Sequence, residues 1–317
     1  MSEHWRERRE GGGRVAIWLI RTIALRLGRP VARLCLYPIT LYFFLRRPYE
    51  RRVSYAALDR IEGRRPSAWR VMCHIHRFAS TLLDRVFLLS DRYTRFDVRM
   101  HGLDELVTRM QPDRGVLLLG AHVGSFEVLR VATLTHPEVK LRVVLDTHKT
   151  PAQTALLHAL NPAIGHGVID AGRPPTEIVL ALSEAAAEGA LIALLADRAR
   201  ADERCVMVDF CGAPAPLPVA PFALGGILKV PVVLCLGMYR GGNRYDLYFE
   251  PLADALPVGR GERTAAVQAL AQAYAARLEH HVRQDPCNWF NWHDFWNPEG
   301  RGVAAAAGVG ADSPGRA

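Results

Sequence analysis

The sequence contains no Cys-x-x-Cys pair, no Walker A phosphate loop, no Gly-x-Ser-x-Gly elbow and no repeat at solenoid period. Each absence removes a class of protein. Cys35, Cys73, Cys205, Cys211, Cys235 and Cys287 are too scattered for a disulfide framework and read as free thiols of a reducing compartment. Gly11 to Gly13 precedes no strand, so nucleotide hydrolysis has no cradle. Val123-Gly-Ser-Phe-Glu127 lacks the second glycine of an elbow, which argues against Ser125 as a hydrolase nucleophile. Cys73-His74-Ile-His76 has ligand types without partner ligands, so no metal is expected. No secretory signal is evident: acids interrupt the arginines of residues 1–10, and Glu10 and three glycines follow Arg8-Arg9 where an export signal needs an apolar run.

A positive field is also missing from most of the chain. The formal charge is +8, but residues 1–70 carry a net +10 and the rest a net −2. Residues 71–317 therefore offer nothing to track a phosphate backbone, and no nucleic-acid partner is expected. Half of the 317 residues are hydrophobic and 23% are charged, which suits a chain that folds around a sizeable core.

The arginine-rich end has its own pattern. At about 100° per residue, Arg14, Arg21, Arg26 and Arg29 fall within an arc of roughly 140°, with Ile17, Ile20, Ile23 and Leu27 on the other side. Trp18 and Leu25 sit inside the arginine arc, so the segregation is imperfect. Residues 34–45 form a second apolar stretch with Tyr37, Tyr42, Phe43 and Phe44, closed by Arg46 and Arg47. Twelve residues around Pro38 are well short of the ~20 needed to span hydrocarbon. The expectation is a segment lying on an anionic membrane face; the alternative is a helical pair packed on the body with solvated arginines.

From residue 49 helical spacing covers 49–61 and 66–89, the latter opened by Pro66. Beyond it, short apolar runs predict strands over 96–100, 116–119, 141–145, 168–170, 191–196, 206–210, 232–238 and 246–250. Helices are expected over 125–134, 152–160, 175–188, 219–228 and 263–283. This alternation predicts an α/β fold: a mixed, largely parallel sheet covered by helices on both faces. The chain divides into a basic, disordered leader (1–13), a membrane-associated helical segment (14–65), an α/β domain (66–299) and a disordered tail (300–317).

The most informative stretch is Gly115 to Arg130. A charge-free apolar run delivers the chain onto Gly120, Ala121 and His122, where a parallel sheet presents ligand sites at the carboxyl ends of its strands. Ser125 suits a helix N-cap, with Glu127 in the first turn. His122 and Glu127, five apart, share no face of one straight helix, but across a turn at Gly124 they can meet. The carboxylate would then fix the imidazole tautomer and leave the other nitrogen for a substrate hydroxyl.

This block resembles the His-x-x-x-x-Asp/Glu motif of the glycerolipid acyltransferase superfamily, and specifically the bacterial lipid A late acyltransferases. Ala190 to Arg198, Val208 to Pro216 and Pro231 to Leu234 resemble further blocks of that family, so the similarity runs over about residues 15–297. Tyr239 to Tyr245 and Trp289 to Trp296 resemble the subgroup encoded with aryl-polyene pigment pathways.

The resemblance implies His122 as general base and Glu127 as its support, with an acyl thioester on acyl carrier protein or coenzyme A as donor. It implies a membrane lipid or glycolipid acceptor, no covalent acyl-enzyme and no cofactor. Gly124, Ser125, Asp197 and Arg198 become substrate-binding candidates, and Arg130, His158, Asn161 and His166 secondary ones. The implied location is the cytoplasmic face of the bacterial inner membrane, peripheral or monotopic. A catalytically silent membrane scaffold that binds lipid or acyl carrier protein is the alternative.

Two departures bear on the acceptor. The Phe-Pro-Glu-Gly block of the glycerol-phosphate branch is missing, and residues 157–167 lack the arginine that lipid A members often carry there. Trp289 to Trp296 reads first as a hydrophobic clasp, leaving His293 and Asp294 as secondary candidates. His280 and His281 suit the carbonyl end of their helix.

Overall fold

The computed structural model describes residues 14–90, 92–136, 139–147, 167–199, 203–256 and 262–296; the side chains of residues 14–21, 23, 25 and 135 lie outside the description. The leader, the expected helix over 152–160, the tail and the side chains of Arg14 and Arg21 in the arginine arc therefore fall outside it.

The α/β expectation holds. Strands β1 (Asp97–His101), β2 (Val116–Gly120), β3 (Leu141–Leu145), β4 (Val168–Asp170), β5 (Leu191–Leu195), β8 (Val232–Gly241) and β9 (Arg244–Ala253) form one sheet in the order β1-β9-β8-β2-β5-β3-β4. Only β8 and β9 pair antiparallel; the other neighbours are parallel. β2 lies centrally and every residue of it is buried, as a charge-free run flanked by two parallel partners requires.

Alternate β2 side chains feed two cores. Leu117 and Leu119 face α6 (Pro175–Ala187), α7 (Val219–Leu228) and α8 (Arg263–Gln284), whereas Val116 and Leu118 face α1 (Arg14–Arg46) and α3 (Ala68–Leu89). A buried leucine of this kind contributes about 1.5–3 kcal/mol. Two further helices, α4 (Leu103–Val107) and α5 (Leu129–Thr135), are short.

The amino-terminal helices pack on this body. In α1, Gly28 takes φ 84°, a left-handed conformation that kinks the helix and separates its two apolar stretches. Arg29 binds the buried Asp84 of α3 through two hydrogen bonds of 2.7 and 2.8 Å, and Tyr245 donates to the same carboxylate at 2.9 Å. Arg33 adds a bond of 2.8 Å to Tyr239 Oη. The Tyr239 to Tyr245 segment thus ties α1 to the sheet edge. Helix α2 (Pro48–Glu62) starts on a proline at its first turn and stops at Gly63, φ 65°. Helix α3 starts two residues later than the sequence suggests, capped by Ser67, whose hydroxyl accepts from Arg70 N–H at 3.2 Å.

Strand β6 (Cys205–Phe210) leaves the main sheet and pairs only with β7 (Ala213–Pro218), which the sequence did not suggest. Pro214, Pro216 and Pro218 oppose Asp209, Met207 and Cys205. The backbone groups of Met207 and Asp209 turn to α8 instead, where Gln268 and Gln272 bond them. Prolines are tolerated in β7 because their missing N–H groups fall where no ladder bond is needed.

Candidate active site

His122 follows β2 directly, and Asp197 follows β5, its parallel neighbour; Gly120 pairs with Leu195 in the register. The two strands therefore release both side chains at the same edge. Asp197 is buried and bonds His122 twice: its Oδ1 lies 2.7 Å from the ring Nδ1, and its Oδ2 accepts from the His122 backbone N–H at 3.0 Å. The imidazole keeps 30% of its side-chain surface open, and its Nε2 has no partner among the described residues. With Nδ1 carrying the proton toward the carboxylate, Nε2 is the free base.

Electrostatics favour that neutral form. Desolvation lowers the His122 pKa, and the nearby Arg198 and Arg85 cations add to the shift, outweighing the opposing pull of Asp197. Burial alone would raise the Asp197 carboxyl, but the two hydrogen bonds from His122 and the nearby Arg198 cation hold it well below the usual carboxylate range.

A rigid frame holds the ring in place. Tyr274 of α8 donates to the Gly120 carbonyl at 2.8 Å. The His122 carbonyl accepts from Phe290 N–H at 2.8 Å, Gly124 N–H donates to the Asn288 carbonyl at 2.9 Å, and Ser125 N–H donates to the Gly237 carbonyl at 2.8 Å. Asn288 is fully buried and exchanges two side-chain bonds with the backbone of Tyr239, at 2.9 and 3.0 Å. The loop after β2 is thus fastened to β8 and to residues 286–290.

Glu127 is not the partner of His122. No hydrogen bond or ion pair joins them. Oε1 of Glu127 lies 2.6 Å from Arg85 Nε of α3, and Oε2 accepts from Ser125 Oγ at 2.9 Å. The reason is local: residues 126–128 form a 3-10 turn, not the first turn of an α-helix, and the half-buried Arg85 offers the carboxylate a counter-charge. Ser125 occupies the cap position but makes no side-chain capping bond, because its hydroxyl goes to Glu127.

The other sequence candidates separate. Gly124, at φ +58°, is structural, with no room for a side chain. Arg198 donates to the Phe290 carbonyl beside the site. Arg130 bonds the Leu89 carbonyl at 3.0 Å, joining α5 to the end of α3. His158, Asn161 and His166 lie outside the described residues. Trp289 and Phe295 are buried edge-on to each other with ring centroids 5.0 Å apart, the clasp expected of this run; His293 is buried within it. His281 is buried against Glu250 at 2.8 Å, and His280 bonds Gln284. Among the described residues no group of His, Cys, Asp or Glu could hold a metal.

Asn288, Tyr274 and Arg85 escaped the sequence reading. Only Arg85 left a signal, as half of a charged Asp84-Arg85 pair inside Leu82 to Leu89, an otherwise apolar run.

An aspartate-held histidine at a strand edge serves hydrolases as well as transferases, and geometry alone does not choose. The match to the bacterial lipid A biosynthesis acyltransferases over residues 19–297 does. The chain belongs to that family. No curated protein matches it. As a lipid A biosynthesis acyltransferase family member, the chain is a transferase that moves acyl groups and acts on lipid.

Proposed function

We propose that this acyltransferase moves an acyl group from a thioester on acyl carrier protein, or on coenzyme A, to a hydroxyl or amine of a membrane lipid or glycolipid, with His122 as general base. The observation that carries this reading is the open Nε2 of a ring whose Nδ1 is fixed by Asp197. Nε2 takes the acceptor proton as the acceptor oxygen or nitrogen attacks the thioester carbonyl. Asp197 stabilises the imidazolium so formed, which returns the proton to the departing thiolate when the C–S bond breaks. Arg198, anchored on Phe290, is the cation available to the carbonyl oxygen as it gains charge. Glu127 enters through Arg85 and Ser125.

The same reading places the protein on a membrane. Leu27, Val31, Leu34, Leu41 and Leu45 recur at helical spacing on α1, and all are exposed. Exposed Arg26 and Arg46 stand at the two ends of this stripe. An apolar helix face of this kind flanked by arginines suits the headgroup boundary of an anionic bilayer. No helix among the described residues is long and apolar enough to cross a membrane, which fits attachment along the surface. The cytoplasmic face of the inner membrane, where carrier-bound acyl groups are available, is the proposed location. The aryl-polyene setting rests on the Tyr239 to Tyr245 and Trp289 to Trp296 resemblance alone, and both segments serve to hold the fold.

Purified protein incubated with radiolabelled acyl carrier protein and a lipid extract should yield labelled lipid, and His122→Ala should reduce the rate roughly 10²- to 10⁴-fold with an unchanged circular dichroism spectrum. Wild-type turnover by that variant would remove the base assignment. Binding of both substrates without any labelled product from the native protein would favour the silent scaffold.

A further inference from the structure

The carboxylate that the sequence spacing assigns to the base is engaged by a guanidinium. Arg85 and Glu127 are mostly withdrawn from solvent, with 26% and 17% of their side-chain surfaces exposed. A pair so placed is a poor source of stability, because withdrawing both charges from water offsets much of their attraction. Its geometry has another consequence. The contact uses the Arg85 Nε edge, where the nitrogen is fully buried and approaches Glu127 without an aligned hydrogen bond. Among the described residues, the two terminal nitrogens of Arg85 have no hydrogen-bond partner, and neither is sealed from solvent. Four N–H donors of a charged, oriented group are therefore left for something that is not protein.

The surroundings set the position of that group. Arg85 lies on α3, whose Phe78 packs against Phe290, and the Phe290 N–H bonds the His122 carbonyl. Glu127 is in the turn that follows the His122 loop. The arginine thus borders the reacting edge of the sheet, and its charge is felt at the imidazole.

We propose that Arg85 is a substrate-binding residue that receives a phosphate ester through its terminal nitrogens, and that Glu127, helped by Ser125, is the positioning residue that holds it. This deepens the acyl-transfer reading and rests on it for the location of the reacting atoms. The block from His122 to Glu127 then serves two pairs: His122 with Asp197 for proton transfer, and Glu127 with Arg85 for anchoring. A planar fork matches two phosphate oxygens at once, which an ammonium does not. Holding the side chain by its Nε edge removes beforehand much of the rotamer freedom that binding would otherwise cost. The phosphate can belong to the acceptor lipid or to the phosphopantetheine arm of the donor; both present the same chemistry at a thioester-transfer centre.

Equilibrium binding to the full chain separates these sources. Dodecanoyl-phosphopantetheine and dodecanoyl-pantetheine differ by one phosphate on the donor side, and decyl phosphate and decanol by one on the acceptor side. Arg85→Gln should weaken one phosphate-bearing probe roughly 10- to 100-fold, the range of a lost charged hydrogen bond, and leave its neutral counterpart unchanged. Whichever probe responds names the source. Arg85→Lys should recover only part of the loss. Glu127→Gln, which keeps the arginine, should raise KM for the phosphate-bearing substrate with kcat within a few-fold and the acid limb of the pH profile in place. Equal binding of all probes by native and Arg85→Gln proteins overturns the proposal. So does a Glu127→Gln protein that loses kcat and shifts its acid limb with KM unchanged, since Glu127 would then act on His122. Because the binding arms need no turnover, they stand apart from a failure of acyl transfer itself.

Discussion

Gly124 and Gly237 approach so closely that a Cβ on Gly124 would lie 2.0 Å from the Gly237 carbonyl oxygen, and one on Gly237 would lie 2.2 Å from that of Ser125. The clash is with backbone in both directions, so no side chain can swing aside. Gly124 also has φ +58°, which disfavours any residue with a Cβ. Gly124→Ala should push the loop off β8 and break the Ser125 to Gly237 bond. The expected result is a loss of about 2–4 kcal/mol in urea unfolding, with transfer activity falling by more than stability explains. An alanine variant of native stability and rate would show that the loop is not pinned there.

Removing the charge of Asp197 tests the proton-transfer pair. Asp197 pulls the His122 pKa up while desolvation, Arg198 and Arg85 push it down. In Asp197→Asn the downward influences remain, so the acid limb of kcat/KM against pH should move to lower pH. The ring would also lose its oriented tautomer, and the rate should fall by roughly 10²- to 10⁴-fold. In the native enzyme the same balance should keep activity on its plateau below pH 6.5, the ordinary imidazole value. An unchanged limb in the asparagine variant, measured on folded protein, would remove Asp197 from the proton-transfer step.

The strand that carries His122 was legible because a charge-free run ending in small residues has one common use in a parallel sheet. Asp197 was legible as its neighbour, since a second such run ends on an acid. Which carboxylate meets the imidazole was not. Spacing measures distance along the chain, whereas Glu127 sits in a 3-10 turn at Phe126 to Val128 from which Ser125 and Arg85 both engage its carboxylate. Arg85 lies 42 positions from Glu127 in the sequence, and only the packing of α3 across the sheet brings them together. Asn288 was equally hidden: its side chain bonds backbone, which has no residue signature. Strand β7 was missed because three prolines in six residues argue against a ladder, until Met207 and Asp209, the β6 residues opposite Pro216 and Pro214, are seen to bond α8 instead.

His74 makes folding stability depend on pH. It is buried, bonded to Ser54 Oγ at 2.7 Å and to the Trp289 carbonyl at 2.9 Å, and desolvation, with Arg70 and Arg77 nearby, brings its pKa down to about 4 despite the carbonyl bond. The unfolded chain, near 6.5, takes up the proton first. Stability from this group is therefore complete above pH 6.5, declines by about 3 kcal/mol as pH falls to about 4, and changes no further below that. Urea midpoints collected through this window should lose most of that slope in His74→Gln. An identical slope in the variant would assign the acid sensitivity to other groups.

The exposed face of α1 can be tested without disturbing the fold, because Leu34 and Leu41 are 67% and 46% exposed and lie opposite the side that packs on α3. Each leucine entering the acyl boundary contributes about 1.5–3 kcal/mol, and a carboxylate in its place adds repulsion from an anionic surface. Leu34→Asp with Leu41→Asp should therefore lower co-sedimentation with vesicles containing phosphatidylglycerol by at least about 100-fold, while the urea midpoint stays near native. Rising salt should weaken native binding only in part, since the apolar contact is not screened whereas the arginines at Arg26 and Arg46 are. If the native protein stays in the supernatant with such vesicles, or the double variant sediments as well as native, the stripe serves some surface other than lipid.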